Sequence, residues 1–342
     1  MKTCIICFSD AGAALSLSLC EKLDIPREDV HSIEKFASKY GFTPHKKVCD
    51  DMGELFSTHD ALIFICACGI AVRDVAPHIK NKTVDPAVVV MDDLGRFVIP
   101  LLSGHIGGAN ELAVRIAELI NATPVVTTAT DGRGRFACDS WAKTHGCAIS
   151  SMKVAKDVSA AILTKDIPVC SDFALPEKLP AGLERGDSGE LGIYIGVHGL
   201  SPFASTLRLV PKTVCLGIGC RKDTPEESVR EAVSAALAEN GIDPLSVASA
   251  SSIDIKKDEQ GLLAYAESAG LPISFFTAEE LGRAESDVPF AHSDFVFKTV
   301  GVGNVCERAA ALASGGGKLI IRKTACGGVT VAASIKEWSV VF

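Results

Sequence analysis

The sequence predicts an α/β protein: two three-layer α/β/α domains with mainly parallel sheets, joined by a small α/β middle module. Three observations carry this expectation. Short runs rich in Val and Ile alternate with longer helix-like runs along most of the chain. The Val/Ile runs are nearly continuous, as in strands covered by helices on both faces. The texture also changes twice, after Thr130-Asp131-Gly132-Arg133-Gly134 and again before Thr213. Domains are therefore expected at 1–131, 132–211 and 212–342. A chain of 342 residues is too long for one ordinary core.

In the first domain, strands are expected over 3–8, 61–67, 87–91, 97–102 and 125–128, and helices over 13–23, 33–40 and 112–121. In the last helix Leu112, Ile116, Leu119 and Ile120 recur at helical spacing and form one buried stripe. Pro176, Pro180, Pro202 and Pro211, with glycines between 182 and 192, break up the middle module. Its elements are expected over 140–145, 153–163, 167–170 and 193–197. The last domain opens with a strand over 213–219. Thr224 suits a helix N-cap, Pro225 the first helical position and Glu227 a capping box. Val229, Val233, Ala236 and Leu237 form the buried face of that helix, which Gly241 ends. Strands follow over 247–250, 273–276, 295–298, 318–323 and 329–333, with helices near 259–269 and 305–314. Thr324-Ala325-Cys326-Gly327-Gly328 reads as a hairpin turn.

Composition excludes several function classes. Hydrophobic residues make up 47% and charged residues 22%, which describes a packed core rather than a disordered chain. The net charge is −8 and no Lys/Arg cluster forms a phosphate-binding stripe, so no nucleic-acid partner is expected. An anionic ligand must be held by helix termini and a few basic side chains against the overall field. The longest apolar run, 61–72, falls short of the roughly 20 residues that span a bilayer. Residues 1–8 read as a first strand rather than a signal peptide. No membrane partner and a cytoplasmic location are expected. Of the thirteen cysteines, Cys4, Cys7, Cys66, Cys68, Cys170 and Cys215 lie in apolar runs where thiols act as small hydrophobes. Cys4 and Cys7 point to opposite faces of a strand, and Cys66/Cys68 has no second pair at zinc spacing. Reduced, structural thiols and no metal site are expected.

The segment best suited to chemistry is Ser103-Gly104-His105-Ile106-Gly107-Gly108-Ala109-Asn110. A strand that ends in a Gly-rich turn and opens into a helix presents backbone N–H groups at the positive end of the helix dipole. Ser103, Gly104, Gly107, Gly108 and Asn110 are thus expected ligand contacts. His105 adds a titratable imidazole, which either shapes the loop or moves a proton; the residues alone leave both open. Asp131 is expected at the same rim of the sheet, where a His105/Asp131 pair would activate water. No Gly-x-Ser-x-Gly elbow is present, so a serine nucleophile is disfavoured and Ser103 is a weak candidate.

Three further Gly turns are expected near strand ends. One holds Gly69 and Arg73, one holds Gly217, Gly219, Arg221 and Lys222, and one holds Lys298, Gly301 and Gly303. The second resembles a dinucleotide fingerprint but has lysine at 222 where the third glycine belongs, and lacks the later acidic residue. A carboxylate suits Arg221 and Lys222 better, with a plain turn and solvated basics as the other reading. Ser252, Asp254 and Lys256 either bind a polar ligand at a strand end or begin a helix. Four such turns together predict a ligand with several acidic groups.

Residues 102–110 resemble the N-terminal domain of the CbiG family, the cobalt-precorrin-5A hydrolases of anaerobic cobalamin biosynthesis. Gly217-Ile218-Gly219-Cys220-Arg221, the set Ser252, Ile253, Asp254, Lys256 and Glu259, and Val300-Gly301-Val302 resemble that family's C-terminal domain, which also occurs alone as CobE. The resemblance covers nearly the whole chain, least distinctively in the middle module. It implies a hydrolase acting on a carbon–carbon bond, which opens the δ-lactone of cobalt-precorrin-5A and releases acetaldehyde to give cobalt-precorrin-5B. It implies a tetrapyrrole substrate that carries its own cobalt, no cofactor, and transient contact with neighbouring pathway enzymes. The oligomeric state is not legible. His105 is the expected base, oriented by Asp131 or another carboxylate, with turn N–H groups at the oxyanion. The solitary C-terminal domain leaves open a second reading, a non-catalytic tetrapyrrole-binding or channelling protein.

Overall fold

A computed structural model describes residues 1–81, 84–105, 107–127 and 134–342. By compactness the chain divides into Met1–Ser140 and Trp141–Phe342. The first unit is built on a seven-stranded sheet. Its strands are β1 (Thr3–Cys7), β2 (Val30–Ile33), β3 (Thr43–His45), β4 (Ala61–Ile65), β5 (Ala87–Met91), β6 (Phe97–Leu102) and β7 (Thr123–Pro124). They lie in the order β3-β2-β1-β4-β5-β6-β7. All neighbours are parallel except β5 and β6.

Side-chain alternation divides the core of this unit between the two sheet faces. On one face Ile5, Cys7, Ile63 and Val89 meet residues of α1 (Asp10–Leu23), α2 (Glu34–Tyr40) and α5 (Ala109–Ile120). On the other Cys4, Ile6, Leu62 and Phe64 meet α3 (Met52–Thr58) and α4 (Cys68–Val75). Cys4 and Cys7 thus sit on opposite faces, as their spacing requires. All thirteen cysteines are free, and Cys49 and Cys326 are the exposed ones. Burial pushes the Cys66 and Cys147 thiols up to about 12, which keeps them unreactive.

The second unit carries two five-stranded sheets. After α6 (Cys138–Thr144) come β8 (Cys147–Ile149), α7 (Met152–Ala161), β9 (Ile167–Ser171), β10 (Leu183–Arg185), β11 (Leu191–Ile195) and β12 (Ser205–Pro211). They form the order β10-β9-β11-β12-β8, with only β8 antiparallel. The last sheet orders β15 (Ile273–Phe276), β14 (Val247–Ile253), β13 (Val214–Cys220), β17 (Val329–Ile335) and β16 (Lys318–Cys326). β13, β14 and β15 are parallel; β16 and β17 form an antiparallel hairpin through Gly327 and Gly328, both at positive φ. The two sheets are tied where Arg208 Nε meets Asp243 Oδ2 at 2.9 Å and the Asp243 N–H donates to the Val197 carbonyl. Among the described residues no helix is long and apolar enough to cross a membrane.

The helices here are α8 (Glu226–Glu239), α9 (Gln260–Ser268), α10 (Ala278–Gly282), α11 (Asp294–Val300) and α12 (Cys306–Ala313). Three local expectations fail. The strand expected over 125–128 is not found at 125–127, because β7 ends at Pro124. Thr224 is not the N-cap of α8: Pro225 holds that place, and the Thr224 hydroxyl donates to the Arg221 carbonyl. The strand expected over 295–298 is helix α11. Ser293 caps its start and Gly301, at φ 80°, stops it, so the caps outweigh the strand preference of Phe295-Val296-Phe297.

Candidate active site

The turn between β6 and α5 owes its shape to close backbone approach. Ser103 adopts φ 55°, left-handed and unusual for a non-glycine residue. A Cβ on Gly107 would fall 2.2 Å from the Ser103 Cβ, and one on Gly104 would fall 2.7 Å from Asn110 Oδ1. The chain therefore folds back upon itself. The N–H groups of Ala109 and Asn110 donate to the Ser103 and Gly104 carbonyls at 3.2 and 3.0 Å, and Gly108 N–H donates to His105 O. This corrects the expected anion site: two of the helix-terminal amides are already used within the loop. The glycines serve closure of the turn before they serve a ligand.

Two side chains in the turn are placed for chemistry. His105 Nδ1 lies 3.2 Å from Asp139 Oδ1, with the side chains only 18% and 10% exposed. A carboxylate beside Nδ1 holds the proton there and leaves the lone pair on Nε2. The Ser103 hydroxyl is buried with no hydrogen-bond partner among the described residues. A buried hydroxyl left unpaired costs about 1–3 kcal/mol, and a bound oxygen would relieve that cost. The expected partner Asp131 lies outside the described residues. The carboxylate observed beside His105 is Asp139, at the start of α6. Its only sequence signal was a helix start following the turn.

Within each unit the other expected contacts have places of their own. Gly69 and Arg73 lie within α4 rather than in a turn, and Arg73 donates to the Gly69 carbonyl. α4 follows the C-terminal end of β4, whereas β6 runs against β5, pairing Leu102 with Val88 and Val98 with Met91. The Ser103 turn therefore leaves the opposite edge of the sheet, about 17 Å away along five-residue strands. Gly217 lies inside β13, where a Cβ would fall 1.8 Å from the Cys306 carbonyl; it admits α12 against the strand. A Cβ on Gly219 would fall 2.6 Å from the Thr330 hydroxyl on the paired strand β17. Arg221 packs on Gly328. Ser252 is buried in β14 and donates to the Ile218 carbonyl at 2.6 Å.

Lys222 and Lys256 do share a cleft of about 720 Å³, together with Asp223, Glu226, Asp258 and Glu259. Lys256 is paired with Glu259 at 3.0 Å. Burial pushes the Glu259 carboxyl up, but Lys256 and backbone N–H donors outweigh it and hold it below its ordinary value. The cleft is thus of mixed charge. Asp254 starts a 3₁₀ turn with Lys256. Lys298 is exposed on α11, Gly301 caps that helix, and Gly303 lies against His292.

A second His–Asp pair, absent from the sequence expectations, lies in the middle sheet. His198 Nδ1 meets Asp172 Oδ2 at 2.7 Å, and Tyr194 Oη donates to the other oxygen at 2.5 Å. Backbone N–H groups of Val197 and His198 also donate to Asp172. Burial pushes the Asp172 carboxyl up, yet these donors and His198 hold it low. Asp172 is saturated, as in a loop tie.

Residues 50–131 match the family model described as cobalamin synthesis G N-terminal, and residues 214–334 match that of its C-terminus. The chain is 36% identical over 327 residues to the cobalt-precorrin-5A hydrolase of Salmonella typhimurium, covering 91% of this chain and 92% of that one. It is 32% identical over 301 residues to the cobalt-precorrin-5A hydrolase of Priestia megaterium, covering 82% and 80%. Protein CobE of Sinorhizobium is 34% identical over 100 residues, covering 29% of this chain and 64% of that one. The chain belongs to the CbiG family. It is accordingly an enzyme, a hydrolase of cobalamin biosynthesis. Within this CbiG-family chain the Ser103–His105 turn falls in the matched N-terminal stretch. Asp139 and the His198–Asp172 pair fall between the two matched stretches.

Proposed function

We propose that the chain is a cobalt-precorrin-5A hydrolase, which opens the substrate's δ-lactone with water and releases acetaldehyde to give cobalt-precorrin-5B. The observation that carries this reading is the His105–Asp139 pair, in which His105 shares its turn with the unpaired Ser103 hydroxyl. His105 Nε2 takes a proton from water as the water oxygen bonds to the lactone carbonyl carbon. Asp139 then faces an imidazolium and stabilises its charge as it forms. Ser103 Oγ–H donates to the carbonyl oxygen as it becomes an oxyanion, the place left to it because the Ala109 and Asn110 amides are spent. When the ring C–O bond breaks, the leaving oxygen takes the proton from His105, giving a hydroxyl on C20 and a carboxylic acid that releases its proton to solvent. That hydroxyl then loses its proton and becomes a carbonyl as the bond from C20 to the macrocycle breaks. The macrocycle keeps the electron pair and is protonated. One water is consumed, and C20 leaves with its methyl as acetaldehyde.

The test is acetaldehyde release from cobalt-precorrin-5A by purified protein. His105→Gln should slow it by about 10²-fold or more, with Asp139→Asn close behind and the melting temperature unchanged. His198→Gln should keep the wild-type rate. A near wild-type rate for His105→Gln would remove that residue from the chemistry. Tight substrate binding with no acetaldehyde from the wild type would favour a tetrapyrrole-holding role instead.

A further inference from the structure

Away from that turn, on the face of the first sheet covered by α3, a thiol and two imidazoles meet. Cys4 stands on β1, His31 on the adjacent β2, and His59 at the C-terminal cap of α3. One ligand atom from each lies within 4.8 Å of the other two. Cys4 is fully buried, His31 is 7% exposed, and the His59 side chain is 6% exposed.

The hydrogen bonds around the rings settle which nitrogens face the cluster. His59 Nδ1 lies 3.1 Å from the Leu55 carbonyl, which can only accept, so Nδ1 carries the proton. His45 Nδ1 lies 2.6 Å from Asp51 Oδ2 and donates to it, leaving His45 Nε2 to accept from His31 Nδ1 at 2.8 Å. Both His31 Nε2 and His59 Nε2 are then bare lone pairs, and both are buried without a hydrogen-bond partner. Two buried, unpaired acceptors beside one thiol are unfavourable unless something electron-poor lies between them.

We propose that Cys4, His31 and His59 bind a borderline divalent transition-metal ion, zinc above all, as a structural clamp joining β1, β2 and α3. One sulfur and two imidazole nitrogens are a zinc-type donor set. The Asp51–His45–His31 and Leu55–His59 hydrogen bonds are the outer-shell supports that metal-bound histidines use. Asp29 Oδ1, 3.9 Å from His59 Nε2, is the nearest carboxylate for a fourth position. On binding, the Cys4 thiol gives its proton to solvent and the thiolate bonds to the ion. The cluster and the Ser103 turn share one sheet edge, but three strand spacings, about 14 Å, separate β1 from β6. The ion therefore clamps the sheet and takes no part at His105.

The test uses full-length protein stripped with a chelator and titrated with zinc, and with cobalt(II) as a spectroscopic probe. One equivalent of zinc should bind with a dissociation constant of about 1 μM or below and raise the melting temperature. Cobalt(II) should show a thiolate-to-metal charge-transfer band that persists when the exposed cysteines are removed by Cys49→Ser and Cys326→Ser. Cys4→Ser should abolish that band, and His59→Gln should weaken zinc binding by about 10²-fold or more. If Cys4→Ser does not fold, the wild-type cobalt spectrum and His59→Gln decide. Absence of the band in the wild type, or zinc binding unchanged in His59→Gln, overturns the proposal.

Discussion

The glycines of the Ser103 turn and those around Gly217 look alike in sequence and do different work. In the N-terminal unit, Gly104, Gly107 and Gly108 let the chain leave β6 and fold back, holding Ser103 left-handed with its hydroxyl unpaired. In the C-terminal sheet, Gly217 is extended backbone, and its missing side chain is the space that α12 fills. The two serines follow the same division. Ser103 has no partner among the described residues, whereas Ser252 is spent on a neighbouring strand. An orphaned group marks a place for a ligand, and a satisfied one marks packing.

The largest expected effect that sharpens this contrast concerns the helix seated on Gly217. Glu307 of α12 is fully buried and accepts from Arg322 Nε, Lys323 N–H, Ala291 N–H and Asn304 Nδ2. Glu307→Ala should destabilise the second unit by about 4 kcal/mol in chemical denaturation, because it leaves those donors unpaired. Burial pushes the Glu307 carboxyl up, but Arg322 and the backbone donors outweigh it and hold it below its ordinary 4.5. A depressed folded value means its contribution is complete above that ordinary value and fades as pH falls through the folded one. The stability gap between wild type and Glu307→Ala should therefore narrow in acid, and a gap independent of pH would refute a stabilising role for the ionised Glu307 carboxylate.

Next, Gly217→Ala should cost about 3 kcal/mol, roughly 10 °C in a unit of this size, since the clash is with backbone and α12 must move. Activity per folded molecule should be unchanged. A specific loss of activity at full stability would return Gly217 to the ligand site. Smallest in stability is a matched pair. Ser252→Ala should lower stability by about 1 kcal/mol, while Ser103→Ala should be neutral or slightly stabilising and slow acetaldehyde release by about 10²-fold. Equal stability losses in the two would erase the distinction.

Much of the fold was legible in the residues. The strands 87–91, 97–102 and 273–276 appear with the expected bounds, and Val229, Val233, Ala236 and Leu237 are buried together. These follow from apolar runs and helical spacing, which are local. The short polar strands β2 and β3 were missed, and with them His31 and His45, because Val30-His31-Ser32-Ile33 carries too little apolar character to stand out. The metal-type cluster was invisible for a related reason. Its ligands lie 27 and 28 positions apart, outside any short-spacing motif, and pairing of β1 with β2 and β4 unites them.

Alone, the sequence determined the α/β class, the alternation of strand and helix, and the turn that holds His105. Tertiary structure decided what each signal serves. It set β6 against β5, and so put the His105 turn on the opposite edge from Gly69 and Arg73. It brought Asp139 to His105 and put α12 over Gly217. Strand direction and side-chain partners depend on hydrogen bonds and packing between residues distant along the chain. Local propensity carries no record of those partners.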